Sequence, residues 1–447
     1  MKNRSKSLIA KIVQCAFVGI VVTQSFDKRL SAQNAVASAH ELTESLNADL
    51  ALTKPDQFNW ILFVSICTKA PDESQPKVAV NGQETKSNNA LWETWADDPF
   101  TFPQNPQPSN PPKWADRNKQ KTLQAIGGLE LLLSRRRHVV PTPSDNTPEE
   151  VRRNEQSFNY IIENNLFFQE GLAKAFAQGV NAEGYPSGKV ISFPAEAVEV
   201  KADWAPITEN SLLNKNNCHW NYDSKGKLWG LVGFHIMSKI LPNWTWATFE
   251  WVGNPVPEYA DKGAPGRSDW IGSRDQFGVK YSLNGSAYFQ APIFVNGNVN
   301  RPSNKPYPGG TITPELAELF RNAGYAGEWL NEWSNYRLKG SQTNFTDASG
   351  QASILGNSAI EGTVGNPGIN NTQVKNSSCI TCHGISNVSK GGSPGTGPSF
   401  IVGSLNPGLF YDLNSFDPTQ PWGSFKVINY QMDFVWSFLF AKPQANP

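Results

Sequence analysis

Toward the end of the chain, Cys379, Cys382 and His383 stand in the order C-x-x-C-H, with Ile380 and Thr381 between the cysteines. Two cysteines three residues apart on one tight turn can add through sulfur to the two vinyl groups of a haem. The histidine that follows can reach the iron from the same side of the ring. The spacing predicts one covalently attached haem c, with Cys379 and Cys382 as tethers and His383 as the proximal iron ligand. Two other chemistries use paired cysteines. A redox dithiol belongs beside a thioredoxin-like βαβ pattern, which the surrounding sequence does not show. A structural zinc site needs a second cysteine pair, and the chain offers none.

An iron bound by His383 has a second axial position, and the side chains able to fill it are His40, His138, His219, His235, Met237 and Met432. On a strand, His235 would share a face with Gly233 and Met237. His219 lies beside Cys218 in a polar stretch, Met432 is the only methionine after the motif, and the position could also stay open.

Haem attachment of this type takes place outside the bacterial cytoplasmic membrane, and the N-terminus has the form of an export signal. Lys2, Arg4, Lys6 and Lys11 make a basic leader, residues 12–23 are apolar, and Leu30-Ser31-Ala32 offers small residues before Gln33. Residues 1–32 are expected to be a signal peptide and the mature chain to be periplasmic. No later segment has the roughly 18 uncharged apolar residues of a spanning helix, so no membrane span is expected in the mature chain. Cys15 falls within the signal, which leaves Cys67 and Cys218 as candidates for a disulfide in an oxidising compartment.

The 39 basic and 39 acidic side chains cancel, so net charge gives no reason to expect nucleic acid or an anionic membrane as partner. The partner expected for a haem of this kind is a redox protein or a small-molecule electron donor or acceptor. Fifteen tryptophans beside 36 glycines and 32 prolines point to a loop-rich fold filled by large aromatics.

The elements that must position the motif are read from periodicity and caps. Residues 58–67 are a dense apolar run that suits either a buried strand or a short helix. Six prolines between Asp98 and Pro112 predict an extended surface connection. A helix is expected over residues 113–137, and Thr147-Pro148-Glu149-Glu150 reads as a capping box opening a helix to about Gln178. Alternating and β-rich segments predict a sheet over residues 189–252. Helices are expected over residues 315–322 and 328–336, with a shorter one at 352–362 before the cysteines and a last one, with an aromatic face, at 433–441.

The motif and its surroundings resemble the class I cytochrome c fold. Cys379-Ile380-Thr381-Cys382-His383 is followed by the Gly-rich Gly391-Gly392-Ser393-Pro394-Gly395-Thr396-Gly397-Pro398 and then Ser399-Phe400. The resemblance implies that the Pro398 carbonyl holds the proximal imidazole by its other nitrogen. It also implies that Met432, downstream of the motif and before the last helix, is the sixth ligand, although Met432 abuts that helix where the family leaves a longer interval. It further implies that the short helix before the motif and the helix at the chain end are the family's crossing pair. Upstream, Trp92-Glu93-Thr94-Trp95, Gly230-Leu231-Val232-Gly233-Phe234-His235-Ile236 and Trp246-Ala247-Thr248-Phe249-Glu250 resemble segments of uncharacterised exported bacterial cytochrome c proteins with a long N-terminal region.

The expectation is therefore an α+β protein. An N-terminal domain, residues 33–350, would hold a β-sheet with packed helices, and residues 351–447 would form a small all-α cytochrome c-like haem domain. The expected function is single-electron transfer by a mono-haem c-type cytochrome. The alternative is a haem-dependent oxidoreductase or peroxidase whose N-terminal region forms the substrate pocket.

Overall fold

The computed structural model describes residues 45–71, 77–117, 149–209, 213–253, 275, 277–280, 293–295, 298–300, 311–346, 350–357, 359–361, 377–395, 403–420 and 423–444. The expected signal peptide, most of the helix expected at 113–137, His40, His138 and Pro398 lie outside these residues.

The centre of the fold is one antiparallel sheet. In chain order its strands are β1 (Ala96–Asp97), β2 (Glu149–Arg153), β3 (Val198–Pro206), β4 (Trp220–Tyr222), β5 (Leu228–Ser238), β6 (Thr245–Trp251) and β7 (Tyr336–Gln342). They lie side by side as β7-β6-β5-β3-β2-β1, with β4 pairing the first residues of β5. The long strands β5 and β6 are joined in register with His235 opposite Thr248 and Met237 opposite Trp246.

Because side chains alternate across a strand, the sheet separates two cores. Phe234 and Ile236 of β5 and Ala247, Phe249 and Trp251 of β6 enter the first. Met237 and Trp246, one residue out of step, enter the second. Helix α1 (Pro55–Ile66) fills the first core. Proline at its first turn suits a helix start, and burial of every residue from Phe58 to Ile66 explains why its apolar run carried no helical stripe. Helices α4 (Pro314–Asn322) and α5 (Gly327–Trp333) close the same side.

The second core is built by α2 (Glu155–Glu163), α3 (Gln169–Gly179) and the C-terminal residues together, including Leu355, Cys379, Ile380, Val388, Tyr430, Met432 and Phe434. Residues on both sides of position 350 therefore share one hydrophobic core.

Several expectations are corrected. Residues 351–447 are not a small all-α domain. Among the described residues they hold the one-and-a-half-turn α6 (Cys379–Gly384) and four strands, β8 (Asn387–Ser389), β9 (Tyr411–Asp417), β10 (Ser424–Val427) and β11 (Asn429–Gln431). The helix expected at 433–441 is a short 3-10 turn over Trp436–Phe440, because Asp433 and Phe434 both have positive φ and break the helical path. Of the short helix expected at 352–362, only a turn at 359–361 appears among the described residues. The helix expected from the 147–150 capping box is also overturned. Glu149–Arg153 is a sheet strand, paired with β1 and β3, and helix begins only at Glu155, capped by the Asn154 side chain. Within the proline-rich connection, Asp98–Thr101 forms one helical turn whose Phe102 neighbour is buried.

Candidate functional site

Helix α6 is the C-x-x-C-H motif itself. Ser378 caps it, with its hydroxyl accepting from Thr381 N at 3.4 Å. Gln342, the last residue of β7, fixes it to the sheet. The Gln342 amide donates to Ser378 Oγ at 2.9 Å and its carbonyl oxygen accepts from Ile380 N at 3.0 Å. From the other side, Thr381 Oγ1 donates to Gly403 O at 2.9 Å and Trp436 Nε1 donates to Cys382 O at 3.0 Å.

On a helix, positions i, i+3 and i+4 share a face. Cys379, Cys382 and His383 occupy those positions, and the face they share meets β5 and β6. The Cys379 sulfur is buried, 3.8 Å from His235 Nδ1 and 3.6 Å from Leu355 O. The His383 ring packs on Trp246, centroids 4.6 Å apart. Cys382 and His383 keep part of their surface accessible. Cys379 and Cys382 are not bridged to each other, and Cys67 and Cys218 are likewise unbridged, buried thiols of the first core.

Both ring nitrogens of His383 have defined surroundings. Nδ1 lies 2.8 Å from the carbonyl oxygen of Phe434, so Nδ1 carries the proton and donates it there. Nε2 makes no hydrogen bond among the described residues and keeps its lone pair. Burial drives the imidazole pKa down to about 4, against the opposing pull of the Phe434 carbonyl, so the ring is neutral at pH 7. Burial likewise pushes the Cys379 thiol well above its ordinary value, so the sulfur is protonated.

This donor set fits a tethered haem. It offers two unbridged sulfurs and a neutral imidazole whose Nδ1 is engaged by a carbonyl, the arrangement that orients a ligating ring and raises its basicity. It suits a zinc site poorly, because a thiolate ligand would have to be created in a place that disfavours charge. No cluster of three or more His, Cys, Asp or Glu side chains with metal-holding geometry occurs among the described residues. The gap between Leu172, Ser386, Asn387, Val388, Trp436 and Phe438 leaves no room for even a water-sized sphere, so it is no place for a porphyrin.

The carbonyl partner of His383 is thus Phe434, fifty-one residues beyond it. Met432 is fully buried in the second core. Its backbone lies two residues before Phe434, whose carbonyl takes the His383 proton. His235 shares the sheet face of Met237 and sits against Cys379, as its strand position predicts. Its Nε2 approaches Glu361 Oε1 at 3.4 Å. Burial raises the Glu361 pKa, but His235 and Lys201 outweigh it and hold the carboxylate ionised.

His219 is taken elsewhere. It is buried on the opposite side of the sheet, with Nε2 2.7 Å from Glu93 Oε2, Nδ1 3.2 Å from Glu332 Oε2, and its ring stacked on Trp333. With both nitrogens engaged, it has none to offer an iron.

Sequence reasoning missed Trp246 and Gln342, which the sheet brings to the motif, Phe434, which a turn brings to His383, and Glu361, which meets His235. Their residue types carry no signal for such a role. No family model, no curated protein and no solved structure matches this chain.

Proposed function

We propose that this chain is a periplasmic mono-haem c-type cytochrome that transfers single electrons. The observation that carries the reading is the His383 ring, with Nδ1 committed to the Phe434 carbonyl and Nε2 left as a neutral donor beside two thiols at the required spacing. When bound, the haem supplies a one-electron Fe(III)/Fe(II) couple.

The protein's own part is to hold the group and set its surroundings. Cys379 and Cys382 give thioether sulfurs, which suit the buried side of α6 because they carry no charge. Gln342 and Ser378 fix the helix that bears them. Trp246 supports the flat face of the imidazole and limits its rotation.

For the sixth position we favour His235 over Met432, since His235 adjoins the tether Cys379 while Met432 is fully buried in the second core. A second reading, a haem-dependent oxidoreductase or peroxidase, is favoured by the contact between His235 and Glu361. A histidine backed by a carboxylate beside a haem can accept and return a proton at an open iron site. Among the described residues no helix is long and apolar enough to cross a membrane.

The test is an absorption spectrum of the oxidised and reduced protein made with a c-type maturation system. A low-spin oxidised form with the reduced bands of a thioether-linked haem supports the carrier. A high-spin form that binds peroxide or cyanide quickly supports the enzyme. Protein that emerges with no haem spectrum removes both.

A further inference from the structure

The backbone that presents the Phe434 carbonyl is unusual. Val435 N donates to Met432 O at 3.0 Å, closing a four-residue turn. The central residues of this turn, Asp433 and Phe434, have φ of 48° and 68°. Positive φ at both central positions is the type I′ pattern, which ordinarily takes Asn-Gly or Gly-Gly. A phenylalanine there is strained, and strain of this kind persists only where the surroundings over-determine it.

The surroundings are a set of clamps. The Asp433 carboxylate accepts from Phe193 N at 2.7 Å and from Lys239 Nζ at 2.6 Å, and both charged side chains are buried. Lys239 Nζ also donates to Pro242 O at 2.7 Å. Lys239 directly follows β5, so the central sheet itself anchors the turn. On the other flank Met432 N donates to Ser386 O at 3.0 Å and Ser386 Oγ donates to Val435 O at 2.6 Å. Ser386 lies three residues after His383, so turn and motif are locked together.

We propose that the buried Lys239–Asp433 ion pair is a positioning device for His383. It holds the strained Met432–Val435 turn so that the Phe434 carbonyl takes the Nδ1 proton and Nε2 is left as the coordinating nitrogen. The inference rests on the haem reading for its purpose, but its geometry is a property of the chain alone.

The experiment uses the full chain made without haem and labelled with ¹⁵N-histidine, so it does not depend on haem attachment. Long-range ¹H–¹⁵N spectra at pH 7 should show His383 as a single Nδ1–H tautomer in the wild type and in Lys239→Arg. In Lys239→Met and in Asp433→Asn the Nδ1–H form should give way to a mixture or to Nε2–H. Folded variants that keep the single Nδ1–H tautomer overturn the proposal.

If Lys239→Met does not fold, the double variant Lys239→Met/Phe434→Gly is read instead, because glycine removes the strain that the ion pair opposes. Recovery of the Nδ1–H tautomer supports the proposal. The Nε2–H form, or continued failure to fold, overturns it. In haem-loaded protein, Lys239→Met should also raise the reduction potential, since a ring that donates less strongly from Nδ1 is a poorer donor to Fe(III). A chain that passes the tautomer test yet never carries haem would remove the haem reading and leave the positioning role intact.

Discussion

Two histidines packed inside this protein, His219 fully buried and His383 partly so, have opposite charge states, and their partners explain why. His383 meets a carbonyl and an indole, and burial keeps it neutral. His219 is also penalised by burial, but Glu93 and Glu332 override that and push its pKa up to about 9 from an ordinary 6.5. A histidine that binds its proton more tightly when folded gives stability that is full below pH 6.5 and is lost as pH rises through about 9. Chemical denaturation of the wild type and of His219→Gln should therefore differ most at pH 6 and converge toward pH 10. The alkaline loss should be of order 3 kcal/mol from the size of the shift. A constant difference would mean that His219 is neutral in the fold. In the chain made without haem His383 has the reverse sign: its folded pKa near 4 makes that chain lose stability as pH falls from 6.5 toward 4. If haem is bound as proposed, Met432→Leu should cost less than about 1.5 kcal/mol and leave the oxidised spectrum unchanged. His235→Ala should convert the iron to high spin. Loss of a sulfur-to-iron charge-transfer band in Met432→Leu would instead assign the sixth ligand to Met432.

At the scale of elements, the site depends on the C-terminal segments lying close on the sheet, and Gly233 marks how close. A Cβ there would stand 2.9 Å from Ile360 Cγ1 and 3.0 Å from Asn357 Oδ1. Asn357 in turn donates to Thr248 Oγ1 and to Phe249 O, tying its segment to β6. Gly233→Ala should destabilise the fold by about 1–3 kcal/mol, the usual cost of overpacking, and should draw Glu361 away from His235. Thermal unfolding measures the first effect, and the NMR chemical shifts of the His235 ring measure the second. An unchanged midpoint would show that this packing is looser than drawn.

The same elements show what could be read in advance. The sheet over 189–252 and the helices beginning at Thr313-Pro314 and near Glu328 follow from local alternation and caps, and they are present. The strand at Glu149–Arg153 could not be read from its capping box. Its pairing with Lys201 and Val200 of β3, and the bond from Arg152 to the carbonyl of Trp95, are decided by residues far along the chain. Likewise Phe434 and Phe438 have helical spacing, yet Asp433 is drawn into an ion pair with Lys239 and the backbone turns instead.

Over the whole molecule, the motif could be picked out because Cys379, Cys382 and His383 are neighbours in sequence, and the groups around it could not because each arrives from another strand or loop. Gln342, Trp246, His235 and Phe434 converge on α6 only once the sheet has formed. That also explains why the C-terminal residues are no independent helical unit: their apolar side chains complete a core that α2 and α3 begin. The export reading makes a further prediction. Mass spectrometry of periplasmic material should find a mature chain starting at Gln33, and an intact N-terminus in the membrane fraction would contradict it. The central claim is covalent attachment of one haem at Cys379 and Cys382. It is tested most directly by denaturing electrophoresis with haem staining of protein made with the c-type maturation system. The account predicts colour that stays with the wild-type polypeptide and is lost when both cysteines are replaced by alanine. Colour that extracts into acidic organic solvent from the wild type, or no colour at all, would contradict it.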